Sequence, residues 1–181
     1  MSNSVVVCRH KAAVIHDVIA DHQLDVLALT ETWIPSDAPD AVKLDVAPPG
    51  HSVVHRHRGS STDRRGGGVA VIHRDSVRCT PVNVGDYTLF ESLAVKIVGR
   101  HCSVVIVCVY RPPGELTPAF ISQLSDLFDQ LSLLDCRFVV VGDFNVPGSV
   151  ASVIVLLMCS CNTDCDSTSP HQPTSAATSS T

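Results

Sequence analysis

The stretch "RFVVVGDFNVPGSV", Arg137 to Val150, runs four apolar residues (Phe138 to Val141) into Gly142 and then places Asp143 and Asn145 two apart. The apolar run has the composition of a buried β-strand with turn residues behind it. Residues i and i+2 of a strand point the same way, so Asp143 and Asn145 can share one site. Taken alone, an acid and an amide after a glycine are more simply a turn, where Asp and Asn are common. Which reading holds depends on how the other strands end.

Upstream, residues 117–134 carry Phe120, Leu124, Leu127, Phe128, Leu131 and Leu134 at helical spacing, with Pro118 in the first turn. Residues 111–118 hold three prolines and must be a loop. Residues 102–110, "CSVVIVCVY", are nearly all β-branched, which suits a central strand covered on both faces. Residues 90–98 alternate, with Glu91, Leu93, Val95 and Ile97 on one side. Residues 68–73 and 51–58 read as strands, 59–68 as a flexible loop and 35–50 as loop. Residues 24–29 read as a short strand, preceded by a helix over 11–22 with Val14, Ile15, Val18 and Ile19 on one face. Two helices and five or six strands in mixed order predict an α/β (α+β) sandwich, two packed mixed sheets with helices outside. Beyond Gly148 the pattern changes: residues 150–158 are apolar without a clear period, and 162–181 are rich in Ser, Thr, Pro and Ala and are expected to be disordered.

A chain of 181 residues with 45% apolar content can bury a sizeable core. The net charge of −5 argues against binding nucleic acid mainly through a basic surface. It does not exclude a nuclease, whose carboxylate-lined metal site lowers net charge while local arginines hold phosphates. Eight cysteines with no signal-peptide pattern read as reduced thiols in an intracellular, non-secreted protein. The apolar run 153–159 is far short of the ~20 residues a membrane helix needs.

Glu31, Tyr110, Asp143 and Asn145 share one trait: each ends or follows an apolar strand. Strand ends are where α/β folds gather active sites. The set suits metal-assisted phosphoryl hydrolysis. Glu31 would be an oxygen ligand for a hard cation, Asp143 would orient a water or bind a second metal, and Asn145 and Tyr110 would hydrogen-bond phosphate oxygens. Each also has a plainer reading: a solvated acid, turn residues, a rim tyrosine. "RRGGG", residues 64–68, lacks the Lys-Ser/Thr of a phosphate-cradling loop and reads better as a linker. Cys159, Cys161 and Cys165 have no matching His or Cys pair for zinc.

Together, "LDVLALTETW", "GGGVAVIHR", "FESLAVKI", "VCVYRPP" and "FVVVGDFN" occur in that order over residues 24–145. This closely resembles the endonuclease domain of non-LTR (LINE-type) retrotransposons. That domain lies within the endonuclease/exonuclease/phosphatase superfamily, which also holds deoxyribonuclease I and apurinic-site endonucleases. The resemblance implies a four-layered α/β sandwich, a monomer that nicks DNA with Mg²⁺ (or Mn²⁺) to prime reverse transcription, and action in the nucleus. It also implies that Glu31 binds the metal, Tyr110 contacts the scissile phosphate, and Asp143 and Asn145 are catalytic. Asn3 is carried over as a second metal-site residue. Apart from the resemblance, Arg64, Arg65 and Arg111 are read as nucleic-acid contacts, although Arg111 before two prolines is most simply a solvated loop charge.

The sequence also departs from that pattern. No strand precedes Asn3, and nothing after Gly148 resembles the closing Asp and Ser-Asp-His motif. Residues 1–148 are therefore read as a partial domain, truncated at both ends, and 149–181 as an unrelated apolar segment and tail. Without the motif's histidine, loss of about 10²–10⁴-fold in rate is expected. The alternatives are a superfamily phosphatase and a non-catalytic remnant touching DNA through Arg56, Arg58, Arg64, Arg65 and Arg111.

Overall fold

The computed structural model describes residues 3–58, 66–99, 102–146 and 153–158, with the backbone alone for 3–10 and 153–158. Helix α1 (Asn3–Asp21) leads into β1 (Val26–Thr30) and the short α2 (Asp40–Leu44). Strands β2 (His51–Arg56), β3 (Val69–Arg74), β4 (Arg78–Val82), β5 (Glu91–Val98) and β6 (Ser103–Tyr110) follow. Helix α3 (Pro118–Ser132), β7 (Arg137–Asp143) and β8 (Val153–Met158) complete the order. Arg64, Arg65, the cysteines at 159, 161 and 165, and the tail 162–181 lie outside the described residues.

The strands form two sheets, one of three strands in the order β1-β3-β2 and one of five in the order β4-β5-β6-β7-β8. All neighbours are antiparallel except β6 and β7, which run parallel. A parallel pair needs a long crossover, and α3 supplies it. Thr117 caps α3, its Oγ1 accepting from the Phe120 N–H at 3.2 Å, and Pro118 stands in the first turn where its missing N–H costs nothing. Pro81 cannot donate to a ladder and sits in β4, the edge strand of its sheet.

Three apolar clusters define the layers. Phe120, Leu127 and Leu131 of α3 pack on Val105, Val107, Val109, Phe138 and Val140. The opposite phase of the same sheet, Leu93, Val95 and Cys108, meets Val69 and Val71 of the three-stranded sheet. That sheet's far face, with Ile72, Leu27 and Leu29, is covered by Ile15 and Ile19 of α1, Val42 of α2 and Ala38 just before α2. The result is helices, sheet, sheet, helix: two packed sheets flanked by helices, as the periodicity predicts. Both faces of β3 and β6 are covered, which is why "VAVI" and "VVIVCV" read as unbroken apolar runs.

The differences from the sequence reading lie where periodicity is weak. Helix α1 begins at Asn3, eight residues before the Lys11 expected, and α2 lies in a stretch read as loop. Strand β4 was not anticipated because five residues containing a proline carry no alternation. The apolar segment beyond Gly148 supplies β8, which extends the sheet beside β7 from Phe138↔Met158 to Asp143↔Val153.

Candidate active site

The five-stranded sheet brings three polar side chains into one row. Glu91 of β5 pairs with Tyr110 of β6, and Tyr110 pairs with Asp143 of β7. Laterally paired residues share a face and stand about 4.8 Å apart. Tyr110 is in phase with Cys108, so the row faces the other sheet.

From that other sheet comes Glu31, one residue past β1. Glu31 and Trp33 both have positive φ, +53° and +55°, a left-handed backbone that costs a non-glycine residue. The strained turn is held by two backbone bonds, Thr32 N–H to the Gly68 carbonyl (3.1 Å) and Trp33 N–H to the Gly67 carbonyl (2.8 Å). His55 Nε2 on β2 lies 2.8 Å from Thr32 Oγ1. Burial, then the charges of His57 and Lys43, lower the His55 pKa to about 4, so this ring is neutral at pH 7.

The glycines at 66–68 are therefore no linker. Gly67 and Gly68 are buried, and a Cβ on Gly67 would run into Glu91 and Arg58, one on Gly68 into Thr32. A Cβ on Gly66 would stand 3.2 Å from the Trp33 ring. All three have positive φ.

The turn and the row meet directly, because the Tyr110 hydroxyl donates to Glu31 Oε1. Burial foremost, then that bond and the Glu31 charge, hold the Tyr110 phenol above its usual range, with Arg58 opposing. The Arg58 guanidinium lies 5.7 Å from the centre of the Tyr110 ring and pairs through Nε with Glu91 Oε1. Glu91 Oε2 accepts the Gly68 N–H.

At the end of β7 the geometry is a turn that brings both candidate residues together. Asp143 Oδ1 accepts the Asn145 N–H at 3.0 Å, and Asn145 has φ +44°. The strand ends at Asp143, so the two are brought together by this Asx turn and not by strand alternation. Asn145 Nδ2 donates to the Arg111 carbonyl at 2.7 Å, and the Arg111 N–H donates to the Asp143 carbonyl at 2.8 Å.

Arg111 itself requires a correction. Its residue exposure is 4%, and its guanidinium donates to the carbonyls of Phe144 (3.3 Å), Asn145 (2.7 Å), Gly114 (2.8 Å) and Glu115, above the Phe120 ring at 4.9 Å. It clamps the loops after β6 and β7 together, a role the reading as a nucleic-acid contact does not include. Four of its five N–H donors, two on each terminal nitrogen, go to these carbonyls, which leaves little for a phosphate. Asn3 opens α1 instead of ending a strand.

Sequence reasoning missed Glu91 as a member of this group. Its signal was present: an acid in phase with Leu93 and Val95 must point inward. A cleft of about 610 Å³ at the opposite end of the three-stranded sheet, lined among others by His16, Asp25, His51 and Arg74, includes none of these residues. Among the described residues, no three His, Cys, Asp or Glu side chains stand together as metal ligands.

A family model described as the Endonuclease/Exonuclease/phosphatase family matches residues 8–179. No curated protein matches. Among solved structures, the AP endonuclease LMAP from Leishmania major superposes with a TM-score of 0.58 at 19% identity, covering 79% of this chain and 52% of that one. The human Nocturnin catalytic domain gives 0.54 at 18%, covering 75% and 56%. The endonuclease domain of TRAS1, a telomere-specific non-LTR retrotransposon, gives 0.51 at 12%, covering 76% and 53%. At these identities the likeness is one of fold, and the chain spans about half the length of the structures it matches.

Proposed function

The chain belongs to the endonuclease/exonuclease/phosphatase family, and from that premise we propose that its site serves metal-dependent hydrolysis of phosphodiesters in DNA, in the manner of a non-LTR retrotransposon endonuclease. The observation that carries the reading is the convergence of Glu31, Tyr110 and Asp143 from strand ends of two different sheets. The order of the five motifs, with "TETW" and "VYRPP" among them, favours the retrotransposon branch over a phosphatase.

The donors fit a hard divalent cation. Glu31 is exposed, Asp143 is partly buried, and both offer carboxylate oxygens, while Mg²⁺ commonly takes one or two carboxylates and keeps most of its waters. In this reading Glu31 holds Mg²⁺ (or Mn²⁺), which when bound polarises a phosphoryl oxygen and acidifies water. Asp143, with Oδ1 fixed by Asn145, keeps Oδ2 to orient a water. The Asn145 amide holds a phosphate oxygen with its remaining N–H, and the Tyr110 hydroxyl does so by turning its one proton from Glu31 to the phosphate.

The sequence contains no Ser-Asp-His triplet, so we infer that this chain alone cleaves slowly, by the order of 10²–10⁴-fold that acid–base catalysis supplies. The remnant reading, with DNA held by arginines, loses support. Arg111 is buried, and Arg56 and Arg58 are paired with Asp86 and Glu91. The test is supercoiled-plasmid nicking with Mg²⁺ by the parent, Glu31→Ala and Asp143→Ala. Nicking lost in both variants is expected; nicking that survives both refutes the assignment.

A further inference from the structure

We propose that Glu91 is the positioning residue of this site, setting where the Glu31 turn stands relative to Tyr110. The inference rests on the reading of Glu31 as a metal ligand.

The two sheets meet through apolar side chains such as Val69, Val71, Leu93 and Val95. Such packing is non-directional and leaves small sliding movements cheap. Glu31 and Tyr110 belong to different sheets, so any slide changes the gap between them. A directional bond near the site removes that freedom. Glu91, on β5 beside Tyr110, supplies it by accepting the Gly68 N–H at the entrance to β3 with Oε2. Its Oε1 takes Arg58, whose guanidinium lies over the Tyr110 ring.

From Gly68 the restraint passes to Glu31 through few atoms. The Gly68 carbonyl accepts the Thr32 N–H, and Gly67 does the same for Trp33. The Gly67 backbone touches the ion pair on one side, and Gly68 touches Thr32 on the other, so closely that neither tolerates a Cβ. A ring closes: Glu91, Gly68, the 31–33 turn, Tyr110, Arg58 and back to Glu91. Both carboxylate oxygens are occupied, and the side chain is 14% exposed, so Glu91 acts through its neighbours and not on substrate.

The chain carries one tryptophan, Trp33, in the turn itself, and its ring packs on Gly66, so its fluorescence reports the turn. The experiment compares the full chain with Glu91→Gln and Glu91→Ala by Trp33 emission, Mn²⁺ titration and thermal melting. Glu91→Ala should shift the emission and raise the Mn²⁺ dissociation constant about tenfold or more, as loss of a ligand-orienting partner does. Glu91→Gln keeps an oxygen for Gly68 but loses the charge facing Arg58, and should shift both readouts less. If Glu91→Ala melts lower yet keeps the parent's emission and Mn²⁺ affinity, the pair is merely structural and the proposal falls. If that variant does not fold, Glu91→Gln decides: parent-like values in both readouts overturn the proposal. A parent that binds no Mn²⁺ refutes the metal reading instead, and the Trp33 emission still tests the positioning.

Discussion

Replacing Arg111 with methionine separates a buried clamp from a DNA contact. Methionine keeps an unbranched apolar stem and removes the guanidinium. Four carbonyls then lose a donor: Phe144, Asn145, Gly114 and Glu115. Gly114 and Glu115 are exposed, so water replaces the donor there at small cost. The Phe144 and Asn145 carbonyls are less accessible, and a buried acceptor left bare costs about 1–3 kcal/mol. Lost stacking on Phe120 adds about 0.5–2 kcal/mol, while relief from burying a charge works the other way. A net loss of about 3 kcal/mol is expected, which for a chain of this size lowers the melting temperature by about 6–12 °C. Arg111→Lys keeps the charge but not the planar fork that spans two loops, so it should recover only part of the loss. Urea titration followed by circular dichroism gives the stability, and DNA binding at two salt concentrations gives the electrostatic contribution. A methionine variant within 0.5 kcal/mol of the parent (roughly the scatter of surface substitutions) that binds DNA with a reduced salt slope would refute the clamp.

Three further outcomes follow from the geometry. Gly142→Ala places a Cβ against the Val109 backbone in the paired strand, at φ +145°, and should abolish soluble folded protein, whereas Gly50→Ala, at φ +82° with no neighbour, should cost only about 1–2 kcal/mol by denaturation. His55 has a folded pKa of about 4 against its ordinary 6.5, so between those values the unfolded chain binds more protons and stability falls as pH drops from 6.5 towards 4. With the ring partly exposed, screening limits this to about 1–2 kcal/mol, and urea midpoints at pH 7 and 4.5 should fall further for the parent than for His55→Gln. Burial, then the Glu91 charge, push the Cys108 thiol up to about 12, so iodoacetamide with peptide mapping should label exposed Cys102 in the native protein and leave Cys108 unmodified.

The fold was legible where burial is strongly one-sided or complete. Helix α3 was readable because five of its residues and Leu134 just past its end make one stripe, and all six pack in the cluster beneath it. Strand β5 was readable because Leu93 and Val95 meet the other sheet while Ala94 meets α3. Elements held by a single neighbour left weaker traces. Edge strand β4 pairs only with β5, and α2 buries one residue, Val42. What fixes them lies far along the chain, and a local window does not contain it.

The candidate site was legible as a set of strand ends, but the reasons attached to particular residues differ. Asp143 and Asn145 were paired by strand alternation, whereas the chain leaves the strand at Asp143 and an Asx turn joins them. Arg111 reads as an exposed charge because nothing beside it in sequence announces burial: two of its acceptors are backbone carbonyls in its own loop, and the other two, at Phe144 and Asn145, are more than thirty residues away. Parallel pairing explains both. It sets Tyr110 opposite Asp143, so the two loops leave the sheet side by side, each carrying carbonyls that β-pairing no longer satisfies. One guanidinium and one side-chain amide fill that deficit, Arg111 reaching from the first loop to the second and Asn145 reaching back. "VYRPP" and "GDFN" are thus one physical unit. The arginine needed to hold that unit is buried by the pairing that aligns Tyr110 with Asp143.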